Sequence, residues 1–438
     1  MTDFEIVIIG SGTSLSGLAF ARFYLDIHPQ TKLAVLEAGD CLGGVWSSSR
    51  SYDEFWTQSG RRMTGFSDVP LTIPSDAPLF YDTFEAKYVT RYLEDYVDTH
   101  IYDGVSLRSR ILFTHAVQKV EKIEVPNMPS LPNQSEFEGH IFHHKAFGEA
   151  SRSVLVDPSC NRIAVLGGGK SAVDMVYESV KKGKSVNWVV RKSGEGPALF
   201  FPAPRKGRYK NSIESSATRY KACFSPSSFM PNLWLARLFH RTNYGRKYMA
   251  KMVEDNDQHC RVLAAYQTRV GALPGFRDLD FTTSAFWFTG PLGLAQHDDF
   301  WDTIAQNVHI YRKDIVSMKT RVIILDDGTE IPADALLCAA EAQAIWTTAY
   351  LDGSIGLPPL QQAQKEVAYM NAFSRRRYPS HGQKGDCLFF ELVWYTDNLL
   401  EDVGLKSHRK GLWSDWVEPC LAADFKDIKD EYRNKYGF

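Results

Sequence analysis

Val165-Leu166-Gly167-Gly168-Gly169-Lys170-Ser171-Ala172 closes one apolar run and opens another of different period, and its reading decides the fold. Arg162 to Leu166 is strand-like, Gly167 to Gly169 is a turn, Ser171 to Lys181 has helical periodicity, and Ser185 to Val190 is strand-like again. This order, with an uninterrupted G-x-G-x-x-A at the turn and a length of ~30 residues, predicts a βαβ unit that binds a mononucleotide. Glycines there allow a tight turn and close backbone approach to a pyrophosphate at the helix N-terminus, and Ala172 is small enough for close helix packing. Where an NAD site carries an acid, Arg191 and Lys192 stand after the second strand, and cations there pair with an adenosine 2′-phosphate. NADPH is therefore expected over NADH, held by Gly167, Gly169, Ser171, Ala172, Arg191 and Lys192. A solvated strand-end charge is the alternative for Arg191. A Walker loop is excluded, because its earlier glycine would fall at Ala164, inside the strand.

The same order occurs once more, upstream. Phe4 to Ile9 reads as a strand, Gly10-Ser11-Gly12 as the turn, Leu18 to Leu25 as a helix and Lys32 to Leu36 as a second strand ending at Glu37. Glu37 is placed to accept hydrogen bonds from ribose hydroxyls. The third glycine departs from the pattern: Leu15 occupies its usual place and Gly17 comes two residues late, so Thr13-Ser14 act as an inserted pair that bulges the loop. Downstream, Gly43-Gly44-Val45-Trp46 allows backbone to lie against a flat ring system with Trp46 as a wall; a turn followed by a core tryptophan is the other reading. Two such units predict an α/β fold with two Rossmann-like dinucleotide-binding domains, the second inserted in the first. The expected spans are 1–157 for the first part of the first domain, 158–320 for the second, with an irregular insertion at about 194–311, and 321–438 for the return to the first domain and a C-terminal helical region. Glu85 to Thr99 reads as a helix, Pro126 to Ser135 as a linker, and Val322 to Cys338 as strand, Asp326-Asp327-Gly328 turn and buried strand.

Composition narrows the function classes. A 438-residue chain that is 44% hydrophobic buries sizeable cores, and with a formal net charge of −2 and no long block of like charges nothing favours nucleic acid or an anionic membrane as partner. The seven cysteines form no C-x-x-C, so neither a disulfide framework, a zinc site nor a redox disulfide is expected. No signal-like or spanning segment is evident, which makes the cytosol the expected location, with a small molecule as partner and no stable membrane insertion. Oligomeric state is not legible.

Phe137-x-Gly139-x-x-x-His143-x-x-x-Phe147 lies between the two units. Taken with Gly43-Gly44-x-Trp46, it resembles the identifying F-x-G-x-x-x-H-x-x-x-[FWY] sequence of flavin-containing monooxygenases, and the resemblance, closest to fungal members, extends over nearly the whole chain. Phe147 in place of tryptophan leans away from the Baeyer-Villiger subgroup. The resemblance implies FAD at the first site and NADPH at the second. It implies a cycle in which NADPH reduces FAD, O2 forms a C4a-hydroperoxyflavin sheltered by NADP⁺, and one oxygen atom passes to a small, mostly apolar substrate, with fungal secondary metabolism as the expected setting. It also implies cofactor contacts for Gly10, Gly12, Gly17, Glu37, Gly43, Gly44, Trp46, Thr57, Phe137, Gly139 and His143. Where relatives carry asparagine after a threonine near the flavin, Gln58 follows Thr57, and it is the candidate catalytic residue. Relatives also carry an A-T-G-type turn and a further strand after the stretch matching Leu336 to Cys338; here Ala339 to Trp346 runs straight to a helix, so the first domain is shortened near 339–340. The alternative is a degenerate relative that binds NADP(H), FAD or both without oxygenase activity.

Three weaker features complete the reading. Pro231 to Met252 interleaves Trp234, Leu235, Leu238 and Phe239 with Arg237, Arg241, Arg246 and Lys247, as a membrane-surface helix does, although a core or substrate-channel helix fits a chain with 13% aromatic residues better. His297-Asp298-Asp299 reads first as a helix start and second as a substrate-facing cluster. No histidine spacing suits a metal.

Overall fold

The computed structural model describes residues 4–10, 16–117, 131–192, 196–202, 208–282, 284, 292–295, 297–338, 360–377 and 392–437. Gly12 and the inserted Thr13-Ser14, the first half of the linker reading at 126–135, and the passage 339–346 lie outside them.

The fold is mixed α/β with two larger parallel sheets. In the first, β1 (Ile6–Ile9), β2 (Leu33–Leu36) and β3 (Ile111–Leu112) run side by side, with Ile6 opposite Leu33 and Val35 opposite Ile111. α1 (Ser16–Ile27) crosses from β1 to β2, and α2 (Lys87–Thr99) packs beside it. Leu18, Leu25, Val35 and Leu93 are fully buried in the shared core, each worth ~1.5–3 kcal/mol of transfer free energy. On the opposite face of β1, Val7 and Ile9 are 48% and 58% exposed. Parallel sheets are ordinarily covered on both faces, and among the described residues no strand pairs with the outer edge of β1.

The second sheet has five strands in the order β9-β6-β5-β13-β4, all parallel. They are β4 (His140–His143), β5 (Arg162–Leu166), β6 (Ser185–Val189), β9 (Val308–Tyr311) and β13 (Ala335–Cys338). α4 (Lys170–Lys181) makes the crossover from β5 to β6. Two strands therefore come from outside 158–320, where the sequence places the second unit: β4 precedes that span and β13 follows it. β4 is an edge strand of sequence His140-Ile141-Phe142-His143 and β13 is a buried interior one, and both are placed by pairing with residues distant in the chain, so nothing local in either tells which sheet it joins. Asp334 secures β13 beside β5. Its Oδ2 accepts from the backbone N–H of Asn161 (3.1 Å) and Arg162 (2.9 Å), while its Oδ1 accepts from the guanidinium groups of Arg162 (2.7 Å) and Arg321 (3.1 Å). The Arg162 guanidinium, foremost among these partners, holds the Asp334 carboxyl far below the ordinary carboxylate range.

One face of this sheet is covered by α3 (Phe147–Ser153), α4 and α7 (Phe300–Asn307). The other is covered by the antiparallel β10 (Ile315–Lys319), β11 (Val322–Leu325) and β12 (Glu330–Pro332), where Gly328 makes the tight turn at φ +83°. Within the insertion, β7 (Leu199–Pro202) pairs with β8 (Leu292–Ala295), and α5 (Trp234–Arg241) and α6 (Asn243–Ala264) form a hairpin. Phe239 and Met249 of that hairpin pack with Val393 and Trp394 of α9 (Leu392–Asp402), which follows α8 (Leu360–Arg377). α10 (Ile428–Tyr436) closes the chain against α1 through Tyr432 and Phe23.

Candidate dinucleotide and active site

The glycine turn of Gly167 to Gly169 has the tight local geometry its sequence predicts. Gly167 takes φ +136°, a conformation open to glycine, and a Cβ built on it would lie 3.4 Å from that of Ala172 in the first turn of α4. Gly169 sits at the N-cap in extended backbone with no side-chain cap, so the first N–H groups of α4 remain available to an anion. Gly168 is covered: its carbonyl accepts from Ala198 N–H at 2.7 Å, and a Cβ there would lie 2.4 Å from Gly196 O. Arg191 and Lys192 are exposed just past β6.

At the first loop, Gly10 has φ +93°, and a Cβ on Gly17 would come within 2.1 Å of Gly10 O, so only glycine lets α1 approach the strand end this closely. Glu37 is buried, its Oε1 accepting from Gly39 N–H at 2.9 Å. Gly43 and Gly44 both have positive φ, and Trp46 follows in the same turn. Trp46 stacks on Phe55 (centroids 5.1 Å apart), Phe55 on Tyr52 (4.7 Å), and Tyr52 meets Phe147 edge-on (4.8 Å). The Gly43-Gly44-Trp46 turn and the end of the fingerprint stretch, 100 residues apart in the chain, thus meet through one aromatic ladder. Thr57 and Gln58 continue from it. Thr57 is buried and its hydroxyl donates to Ser59 O at 2.9 Å, and the amide nitrogen of Gln58 is shielded from solvent.

Phe137, Gly139 and His143 occupy a different environment. Phe137 is buried with Leu166, Val189 and Met318 between the second sheet and β10–β12, and Gly139 lies where a Cβ would strike the Phe137 ring at 2.5 Å. His143 ends the edge strand β4, 4.3 Å from the His144 ring. Phe137 and Gly139 are thus engaged in packing contacts here.

Between the two sheets runs a seam of charge that sequence reasoning missed. Along α4 and at its C-cap stand Lys170, Asp174, Glu178 and Lys182 at i, i+4 spacing, the one signal that marks them in the sequence. Lys170 pairs with Asp174 at 2.5 Å, and burial raises both the Asp174 carboxyl and the Tyr52 phenol hydrogen-bonded to it. Glu178 is fully buried, its Oε2 accepts from Glu54 N–H at 3.0 Å, and burial pushes its carboxyl up to about 7. Lys182 reaches both Glu178 (3.7 Å) and Asp53. Nearby, His297 stacks on Tyr177 (4.8 Å) and meets Trp56 and Phe80 edge-on; burial lowers it to about 4, so it is neutral at neutral pH. Asp299 stands at the N-cap position of α7, as the helix-start reading has it, yet its side chain accepts from Tyr177 Oη and Lys181 Nζ, both at 2.7 Å. Among the described residues no cluster of ligands could hold a metal ion.

No family model matches the chain. It is similar to FAD-dependent monooxygenase rstn6 of Aspergillus nomiae, 26% identical over 93% of this chain and 94% of that protein. That alignment is 552 positions long, whereas 93% of 438 residues is about 407, which leaves about 145 positions that the relative fills and this chain does not. Among solved structures it shares its fold with a cyclohexanone-bound cyclohexanone monooxygenase in the rotated conformation, at a TM-score of 0.53 and 14% identity, covering 99% of this chain and 98% of the other. It does so as well with OTEMO in complex with FAD and NADP, at a TM-score of 0.51 and 15% identity over 80% and 74% of the two chains. As the stretch from Phe137 to Phe147 leads one to expect, the chain is a relative, over most of its length, of fungal proteins named FAD-dependent monooxygenases.

Proposed function

We propose that the protein is an FAD- and NADPH-dependent monooxygenase that delivers one oxygen atom of O2 to a small, mostly apolar substrate in the cytosol, in the service of fungal secondary metabolism. The observation that carries this reading is the recurrence, in one chain, of a strand-to-helix turn whose glycines let a helix N-terminus approach the strand end, at Gly10/Gly17 and at Gly167/Ala172. A turn of this kind suits a pyrophosphate, and relatives named FAD-dependent monooxygenases favour FAD as the cofactor at the first.

In this reading Gly10, Gly12 and Gly17 hold the FAD pyrophosphate, and Glu37 takes the ribose hydroxyls. Gly43, Gly44, Trp46 and Thr57 flank the ring system, and the ladder of Trp46, Phe55 and Tyr52 excludes water from that side. Gly167, Gly169, Ser171 and Ala172 hold the NADPH pyrophosphate on α4, with Arg191 and Lys192 on the 2′-phosphate. Bound flavin supplies the passage of electrons from NADPH to O2. Gln58 offers its amide as a hydrogen-bond donor to the reacting face and is the catalytic residue we assign. Phe137, Gly139 and His143 serve the cofactors by positioning: they fix β4, the loop behind it and thereby Phe147 under Tyr52. Substrate-stimulated NADPH oxidation with matching O2 uptake is the test, and a protein that takes up no FAD defeats the proposal.

A second reading, a relative that binds NADP(H) without oxygenating, is favoured by the bare face of β1 together with the alignment positions this chain leaves empty. NADPH binding measured in flavin-free protein, with no oxidation on adding FAD, separates it from the first.

A further inference from the structure

The hairpin of α5 and α6 carries a surface that the oxygenase reading does not use. From Ser215 to Val253 there is no Asp or Glu, a run of 39 residues with seven Lys and Arg, in a chain whose net charge is −2. Two of those cations turn inward: Arg219 is buried on Asp397, and Lys221 lies over the Tyr209 ring. The other five are exposed on the hairpin. On α5, Trp234, Arg237 and Arg241 recur at i, i+3 and i+7, which places them on one face; on α6, Tyr244, Lys247 and Lys251 repeat the pattern with Tyr248 beside them. Trp234 is 67% exposed and Tyr244 75%.

The opposite faces are already used. Ala236, Phe239 and Met249 are buried, and a Cβ on Gly245 would sit 1.8 Å from Leu238 O, so the two helices touch backbone to backbone. Lys251 pairs with Asp255, and Arg246 donates to Asn243 Oδ1 at 2.6 Å. Arg237, Arg241 and Lys247 make no ion pair with a described carboxylate. The core reading of this segment therefore holds for one side only; the other presents aromatic rings among unneutralised cations. A single exposed apolar residue is ordinary, but Trp and Tyr sharing a helix face with Arg and Lys is the composition of helices that lie in a bilayer interface, the rings at headgroup depth and the cations on lipid phosphates.

We propose that the α5–α6 hairpin docks the protein on an anionic lipid bilayer. Charge complementarity selects the lipid, and the association is peripheral, since no described helix is long and apolar enough to cross a membrane. Docking here would present the enzyme to apolar molecules dissolved in the bilayer, but the proposal stands independently of the oxygenase activity.

Flotation of the full chain with phosphatidylcholine vesicles, with and without phosphatidylserine, tests it. Binding to the serine-containing vesicles is expected to exceed binding to phosphatidylcholine alone by about tenfold or more and to fall as salt is added. The triple reversal Arg237→Glu, Arg241→Glu, Lys247→Glu should weaken that binding at least about tenfold. Trp234→Ala with Tyr244→Ala should also weaken it, with circular dichroism and thermal midpoint unchanged. If the triple variant fails to fold, Arg241→Glu and the salt titration of the unaltered protein carry the same test. Equal binding to both vesicle types, or none, overturns the proposal. Retention on polyglutamate without vesicle binding overturns it too, in favour of an acidic protein partner.

Discussion

A Cβ at position 17 would lie 2.1 Å from Gly10 O, well inside any tolerable contact, so Gly17→Ala must push α1 off the strand end it abuts. The expected outcome is a loss of about 1–3 kcal/mol of stability, from the overpacking of a close backbone approach, together with weaker FAD binding; urea denaturation and flavin titration read the two separately. The same close approach is what the sequence showed least well, because Gly17 stands two residues beyond its usual place and only the spatial contact with Gly10 explains why a glycine is kept there. Arg191 is the opposite case, plain in the sequence and exposed in the structure. If it reads the 2′-phosphate, Arg191→Ala raises the KM for NADPH by about tenfold, the worth of one charge-assisted contact, and leaves NADH nearly unaffected. Steady-state kinetics with both cofactors decides, and equal effects on the two would remove Arg191 from the site.

At the scale of elements, α4 does more than close a βαβ unit. Its apolar residues bury against the second sheet, while its i, i+4 charge stripe meets residues 52–54 of the first unit. Glu178 makes this seam sensitive to pH. Its carboxyl is raised to about 7 in the folded protein from 4.5, chiefly by burial. The folded state therefore holds this proton more tightly than the unfolded chain, so the contribution to stability is whole below about pH 4.5 and is lost as pH rises through about 7. Glu178→Gln keeps an oxygen for Glu54 N–H and cannot ionise. It should match the unaltered protein near pH 5 and exceed it at pH 8 by up to about 3 kcal/mol, less whatever the Lys182 pair contributes; urea denaturation at the two pH values measures the difference. The stripe is visible in the sequence as spacing alone. Its burial was not, because an i, i+4 run of charge on a helix is usually a solvated face, and only the docking of Tyr52 to Glu54 turns it inward.

For the whole molecule, both βαβ units were legible from strand, glycine turn and helix in order, and α1, α2 and α4 formed within one or two residues of their expected limits. The partition between units was not. β4 and β13 are short strands whose partners are set by long-range pairing, and neither carries a local mark of the sheet it enters. The aromatic ladder from Trp46 to Phe147 was likewise beyond reach, since nothing local in the sequence pairs rings so far apart in the chain. The bare face of β1 falls on the unit expected to hold the flavin, and about 145 alignment positions are without residues in this chain. The most direct measurement is therefore an absorption spectrum of the purified protein titrated with FAD and then reduced with NADPH in the absence of oxygen. One flavin bound per chain, bleached by NADPH and recoloured by O2, is the predicted result; a protein that stays colourless with FAD in excess while still binding NADPH would contradict it.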